Sequence, residues 1–218
     1  MKSILFAATL GLSTLFASTA FAQVSEVRLG INIHDIDWTG FGSGADKERS
    51  VALNGEIIFE EPEFLKWALS PQPYIGGSLN LEGETSHGGA GLLWRQTFAE
   101  KFYFDFSFGL AAHDGTIEAM PSDLVQRVAD DPSIAPGLSA AEVAQFQVDI
   151  AEFQNRQNTE IDFGSRILFR QQISLGYRWN DDWSAHIFAE HLSNGKILVQ
   201  NRPNEGVDTV GFRLARHF

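Results

Sequence analysis

Apolar and polar residues alternate with a period of two along most of this chain. The clearest run places Phe102, Phe104 and Phe106 on one side and Tyr103 and Asp105 on the other. Successive side chains of a β-strand point to opposite faces, so the pattern predicts strands with one apolar and one polar face. We count eight such strands, and bacterial membrane barrels have even numbers of strands. The predicted strands are residues 25–36, 49–60, 72–83, 87–98, 102–113, 162–179, 183–194 and 205–218.

Two classes of all-β protein fit this alternation: a soluble β-protein with its apolar faces in a core, and a transmembrane barrel with those faces toward lipid. The polar faces favour the barrel, because they carry charges and small residues that suit a lumen packed with paired polar side chains. The C-terminus favours it too, since Val210, Phe212 and Leu214 alternate toward the terminal Phe218, a pattern similar to the last strand of bacterial outer-membrane proteins. We therefore predict an eight-stranded antiparallel transmembrane β-barrel. The predicted lumen residues are Glu56, Asn80, Glu82, Arg95, Arg166, Arg170, Gln172, Arg178, His186 and Glu190.

The N-terminus has the pattern of a secretory signal peptide. Lys2 precedes an apolar run, and Ala20-Phe21-Ala22 forms a small-x-small cleavage site before Gln23. We expect residues 1–22 to be removed and residues 23–218 to form a single barrel domain. The net charge of -12 argues against nucleic acid as a partner. The chain has no cysteine, which excludes disulfides and thiolate metal sites.

One connection, residues 115–160, is far longer than a hairpin needs. Ser139 and Glu142 have the spacing of a capping box, and apolar residues follow at helical spacing, which predicts a helix over 140–157. The segment is then a partly helical insert in the extracellular connection between strands 5 and 6. It either packs on the rim of the barrel or acts as a lid that contacts substrate.

Strand 7 ends in His191-Leu192-Ser193-Asn194-Gly195, a segment that contains a base and a nucleophile. His191 and Ser193 share the parity of the apolar residues of this strand, so both side chains are predicted to face lipid. With the N-terminus in the periplasm, strand 7 runs outward and places them in the outer leaflet. His191 can remove the proton of Ser193, while Asn194 and Gly195 can supply donors to an oxyanion.

Glu205 is the candidate for the third group, because it lies across the predicted hairpin and could orient His191. Its parity is a difficulty, since counting back from Phe218 turns Glu205 inward. A β-bulge between Glu205 and Val210, with Gly206 as a participant, would bring Glu205 to the lipid face. Regular alternation throughout, with Glu205 in the lumen, would remove it from the site.

The combination of His191, Ser193, Asn194 and Glu205 resembles the bacterial lipid A 3-O-deacylase family, PagL. The resemblance covers residues 183–218 and the eight-strand plan, whereas the 115–160 insert departs from the compact family plan. It implies a Ser-His-Glu triad and an esterase of the outer membrane that removes the 3-hydroxyacyl chain at position 3 of lipid A. Lipid A or lipopolysaccharide is then the substrate and outer-membrane lipid the surroundings.

Two other functions stay open. Outer-membrane phospholipase A also carries an H-x-S-N-G segment, but its third residue is asparagine, its barrel has twelve strands and calcium assists it. A structural or adhesive barrel without enzymatic activity is the other alternative. We expect no cofactor and no metal, because Asp130-Asp131 and Asp181-Asp182 make poor calcium sites and no zinc spacing is present.

Overall fold

A computed structural model describes residues 23–36, 46–199 and 202–218. The predicted signal peptide lies outside these residues. Eight antiparallel strands follow one another around a closed barrel, which β8 completes by pairing with β1. The predicted eight-stranded barrel is therefore confirmed. Its strands are β1 Val24–His34, β2 Ser50–Phe59, β3 Gln72–Asn80, β4 His87–Thr97, β5 Phe102–His113, β6 Ile167–Arg178, β7 Trp183–Ser193 and β8 Val207–His217.

The period-two pattern of the sequence separates the two faces of the barrel wall. In β5, Tyr103 and Asp105 are buried inside, whereas Phe104 and Phe106 remain about two-fifths exposed, at 41% and 40%, on the outer surface. An apolar exterior around a polar interior is the arrangement of a barrel whose outer wall is covered by lipid. Among the described residues, no helix has both the length and the apolar character needed to cross a membrane.

The interior is filled by a network in which four arginines and four carboxylates form ion pairs. Glu56 lies at its centre, where Arg170 and Arg213 approach within 2.8 Å and Arg28 within 3.5 Å. Burial of a charge is costly unless it is paired, and the balanced network satisfies that condition. The network consists of Arg28, Arg95, Arg170, Arg213, Glu26, Glu56, Asp105 and Glu190.

Most of the predicted lumen residues are in the interior, but two are not. β3 ends at Asn80, and Glu82 beyond it is exposed and accepts a hydrogen bond from the amide of Val51. Arg166 precedes β6 and donates to the carbonyl oxygens of His113 and Gly115. The prediction for both residues is wrong because β3 ends, and β6 begins, nearer the middle of the barrel than the alternation pattern predicts.

A second difference concerns the segment before β6. The predicted strand begins at residue 162, whereas β6 begins at Ile167. Ile161 and Phe163 instead turn into the barrel, where they are fully buried against the inward-facing Leu168, Leu192 and Val207. The end of the insert therefore forms an apolar plug in one end of the lumen, directly beneath the end of β7.

The insert between β5 and β6 contains helices α1 (Asp123–Asp130) and α2 (Ala140–Thr159), with a 3-10 turn at Pro132–Gly137 between them. The predicted helix is confirmed as α2, and both hydrogen bonds of the Ser139/Glu142 capping box are present. The helix α1 was not predicted. At its base the insert is closed by hydrogen bonds from the amides of Phe163 and Gly164 to the carbonyl oxygens of Thr116 and Ile117, at 3.2 and 2.6 Å.

Candidate active site

His191 and Ser193 lie at the end of β7, on the parity that faces outward. The alternate residues Leu192 and Glu190 point into the lumen and are 1% and 0% exposed. The side chain of His191 is 20% exposed, and Ser193 is 8% exposed. Residues two apart on a strand project from one face with Cα atoms about 6.6 Å apart. The imidazole and the hydroxyl are therefore neighbours on the outer wall.

The carboxylate that contacts His191 belongs to Asp208. The two residues are direct partners in the pairing of β7 with β8, and His191 Nδ1 lies 2.6 Å from Asp208 Oδ1. Asp208 is fully buried, and its carbonyl oxygen accepts a hydrogen bond from the amide of Ile36. A proton on Nδ1, donated to the carboxylate, leaves Nε2 of the imidazole free to act as a base.

Glu205 has other partners than the one predicted from the sequence. Both of its carboxylate oxygens accept hydrogen bonds from Lys47 Nζ, at 2.8 and 2.7 Å, and Oε2 also accepts one from the amide of Asp162 at 2.9 Å. Pairing is regular from Val207 onward, without the predicted bulge. Regular alternation turns Asp208 outward beside His191, so the predicted contact of Glu205 with His191 is replaced by that of Asp208.

Gly206 makes room for the imidazole ring. Continuing the register of β7 and β8 by one residue brings Gly206 opposite Ser193. A Cβ atom at Gly206 would lie 2.8 Å from His191 Cε1 and 3.4 Å from Nε2. The imidazole therefore extends from His191 toward the pair of positions that holds Gly206 and Ser193, and its Cε1 and Nε2 atoms lie on the side of that pair.

Asn194 organises the loop after β7. Its side-chain nitrogen donates to the carbonyl oxygens of Phe163 and Pro203, at 2.7 and 3.0 Å, and its backbone amide donates to Asn204 Oδ1 at 2.8 Å. The donors of Asn194, which the sequence predicts to serve an oxyanion, are thus engaged within the protein. Asn194 Oδ1 also accepts a hydrogen bond from the amide of Lys196. This bond closes a tight turn of the chain directly after Ser193.

Gly195 follows with a φ of 61°, in the left-handed region that glycine adopts without strain. Within the described part of the chain its amide makes no hydrogen bond. Of the two residues predicted to supply oxyanion donors, Gly195 is therefore the one with an available N–H group.

The rim around this loop is held together by polar contacts between three segments. Asp162 and Glu205 bond to each other twice, since each backbone amide donates to an oxygen of the other residue. Lys47 joins from the connection between β1 and β2. Burial raises the pKa of the Asp162 carboxyl, and the charge of nearby Glu205 adds to that rise. The insert is thus connected to the chain that leads into Asp208.

A hydroxyl, an imidazole and a buried carboxylate on adjacent positions are the groups that serine-dependent acyl transfer requires. The described residues contain no cluster of His, Asp or Glu that could hold a metal ion. The fold and the site together define a class: an outer-membrane-type β-barrel that carries a serine-histidine-aspartate constellation on its outer wall.

Residues 132–217 match the profile of a family described as "Lipid A 3-O-deacylase (PagL)". The resemblance that the sequence indicated is confirmed, and it extends beyond the predicted 183–218 to include α2 and β6. The matched stretch contains His191, Ser193, Glu205 and Asp208. Curated proteins provide no match.

Several solved structures are similar to this chain. The crystal structure of the outer membrane enzyme PagL is 12% identical, with a TM-score of 0.49, over 88% of this chain and 98% of that one. The N-terminal β-barrel domain of Pseudomonas aeruginosa OprF is 9% identical, with a TM-score of 0.44, over 90% and 99%. Neisserial surface protein A is 8% identical, with a TM-score of 0.43, over 88% and 96%.

Proposed function

We propose that this protein is an outer-membrane esterase that removes the ester-linked 3-hydroxyacyl chain at position 3 of lipid A. The observation that carries the proposal is the 2.6 Å contact of His191 with Asp208 on the outward face, beside Ser193. The family match over residues 132–217 supports lipid A as the substrate and the ester at position 3 as the bond that is cut. With the N-terminus in the periplasm, the site lies in the outer leaflet, where lipid A resides.

In the proposed mechanism, Nε2 of His191 takes the proton of Ser193 as the serine oxygen attacks the ester carbonyl. Asp208 holds the imidazole in the required tautomer and stabilises its positive charge. His191 then gives the proton to the departing sugar oxygen, which leaves an acyl-enzyme on Ser193. Water, deprotonated by His191, attacks this ester and releases the 3-hydroxy fatty acid.

The developing oxyanion needs donors close to Ser193. We assign this role to the amide of Gly195, the second residue after Ser193. Asn194 instead fixes the conformation of the loop through its hydrogen bonds. Loss of one such donor typically costs about 2.7–4 kcal/mol of transition-state stabilisation. Gln171 also faces outward, directly across from His191 in β6, and its side-chain amide is within reach of a substrate bound beside the imidazole.

The proposal is tested by mass spectrometry of lipid A after incubation with the refolded wild type and with Ser193→Ala. We expect the wild type alone to remove one 3-hydroxyacyl group, because the variant keeps the fold but lacks the nucleophile. Lysophospholipid as the product would indicate a phospholipase instead. Intact lipid A and phospholipid after incubation with folded wild type would favour a barrel without enzymatic activity.

Gly206→Ala is expected to lower deacylase activity by about 100-fold, since a displacement of about 1 Å in a reacting group has effects of this size. The added methyl group would lie 2.8 Å from His191 Cε1 and 2.9 Å from the carbonyl oxygen of Leu192, so the imidazole and the adjoining strand must shift. Activity is measured on lipid A, and folding by the heat-dependent mobility of the barrel in gel electrophoresis. Gly88→Ala is the matched control, because a Cβ there meets no atom within 4 Å. Equal activity of Gly206→Ala and wild type would contradict the assigned position of the ring.

A further inference from the structure

A cleft at the end of the barrel that carries the insert is lined by carboxylates. It has a volume of about 320 Å³ and lies between the β3–β4 connection and the base of the insert. The described residues that line it include no lysine, arginine or histidine, and neither His191 nor Ser193 is among them. This acidic cleft is therefore separate from the candidate active site. Its four carboxylates belong to Glu48, Glu84, Asp114 and Glu160.

Three of these carboxylates keep oxygens without a hydrogen-bond partner. Asp114 Oδ1 accepts from the amide of Ser86 at 2.7 Å, and Glu160 Oε2 accepts from the hydroxyl of Thr116 at 2.6 Å. Among the described residues, no donor reaches the second oxygen of either side chain or the carboxylate of Glu84. Carboxylate oxygens accept several hydrogen bonds each, so positioned acceptors remain for the N–H groups of a ligand.

The hydroxyl of Thr85 is a further polar group of the acidic cleft that lacks a partner. Thr85 lines the cleft and is 4% exposed, and its Oγ1 makes no hydrogen bond within the described part of the chain. It lies beside Gly115 on the cleft wall, where an added Cβ atom would collide with it. A buried hydroxyl without a partner is costly and uncommon in folded proteins. A donor bound in the cleft would satisfy it.

The negative charges of the acidic cleft are not balanced within the protein. Burial raises the pKa of the Glu84 carboxyl, and the charges of Glu48 and Glu160 add to that rise. Two groups able to carry positive charge reach the edge of the cleft. His34 Nε2 lies 3.6 Å from Glu48 Oε2, and Arg166 donates to a backbone carbonyl oxygen of the cleft wall. They leave an excess of carboxylates, which a bound cation would neutralise.

The spacing of the carboxylates favours an extended cation over a single metal ion. The described residues contain no group of His, Asp or Glu that could hold one metal ion. An ammonium group, in contrast, is a compact charge with three N–H donors and needs no complete coordination shell. An alkyl chain that carries several ammonium groups can contact separated carboxylates at the same time. The shape of the charge distribution therefore fits a linear polyamine.

We propose that the acidic cleft binds a linear polyamine. Its ammonium groups pair with Glu84, Asp114 and Glu160, and one of them donates to the hydroxyl of Thr85. Glu84 belongs to the β3–β4 connection and Glu160 to the base of the insert, so the bound polyamine joins these two segments. Binding at this cleft is a further function, independent of ester hydrolysis.

The test measures the binding of spermidine to the refolded barrel in detergent micelles by isothermal titration calorimetry. We expect saturable binding that Glu84→Gln weakens by about fivefold, because an uncharged amide replaces one partner of an ammonium group. Thr85→Val keeps the shape of the side chain without the hydroxyl, and we expect it to weaken binding by a similar factor. Glu152→Gln removes an exposed carboxylate from α2 and is the matched control, with unchanged affinity.

Absence of saturable binding by the folded wild type would overturn the inference, as would equal weakening by Glu84→Gln and Glu152→Gln. Unchanged affinity in both Glu84→Gln and Thr85→Val would place the spermidine elsewhere on the molecule. Magnesium chloride at the same ionic strength is the control for screening, and complete suppression of spermidine binding by this salt would show a general counterion effect instead. Heat-dependent gel mobility confirms that each variant is folded before its affinity is compared.

Discussion

Asp208→Asn is expected to lower the rate of lipid A deacylation by about 10⁴-fold, the size of effect known for the orienting aspartate of serine triads. The asparagine side chain has nearly the same shape, so the barrel should fold. Its amide, however, can present an N–H group to His191 Nδ1, which favours the tautomer with the proton on Nε2. That tautomer cannot take the proton of Ser193. Initial rates are measured by mass spectrometry of lipid A at equal amounts of folded protein.

Glu205→Gln is the matched control, because it also replaces a carboxylate by an amide in the same part of the chain. Glu205 bonds to Lys47 and to the amide of Asp162 and has a side chain that is 33% exposed. We expect a reduction of no more than about tenfold, because the partners of Glu205 are Lys47 and the amide of Asp162 rather than His191, and glutamine keeps an oxygen that can accept from both. If Glu205→Gln abolishes the activity and Asp208→Asn keeps it, the carboxylate of the site is Glu205 and the assignment of Asp208 is wrong.

Glu56→Gln is expected to destabilise the barrel by about 3–5 kcal/mol, the typical effect of removing one partner from a buried ion pair. Glu56 neutralises part of the charge of Arg28, Arg170 and Arg213, and all of these side chains are buried. The variant leaves one arginine charge without compensation inside a closed wall. The free energy of unfolding is obtained from urea titration of the barrel in lipid vesicles, followed by tryptophan fluorescence.

Glu63→Gln is the control for this experiment, because it removes a carboxylate from an exposed pair with Lys66 at the surface. Its free energy of unfolding should equal that of wild type within the error of the titration, because ion pairs in full contact with water contribute little to stability. Equal stability of Glu56→Gln and Glu63→Gln would show that the interior charges are solvated by water rather than by one another.

The fold is predictable from the sequence because a barrel wall repeats one rule along its whole length. In each strand the apolar residues face outward and the polar residues alternating with them face the lumen. Each of the eight strands is long enough for this pattern to be recognised in the sequence. The ends of strands follow no such rule. Residues 161–165 alternate like a strand, yet Ile161 and Phe163 turn into the end of the lumen. Their buried apolar contacts there take the place of the strand pairing that would otherwise extend β6 toward its N-terminus.

In the candidate site, too, alternation predicts the residues within the strands better than those in the loops that follow them. His191 and Ser193 were identified from the sequence, and parity placed them on the outer wall. The position of Glu205 across the predicted hairpin indicates it as the third residue, although its parity turns it inward. Counting back from Phe218 selects Asp208 for the outer face, so the signal was present in β8. The partners of Asn194 could not be predicted, since they depend on where the insert returns to the barrel.

The hydrogen bonds at the base of the insert separate it from the site in a way that matters for how such proteins diversify. Thr116 and Ile117 close the base against Phe163 and Gly164, and Thr116 is also bonded to Glu160. The helices α1 and α2 lie beyond this closure and pack against each other. Lengthening or shortening the hairpin on the far side of Thr116 and Glu160 would leave this closure in place, and Asp208 and His191 would keep their register.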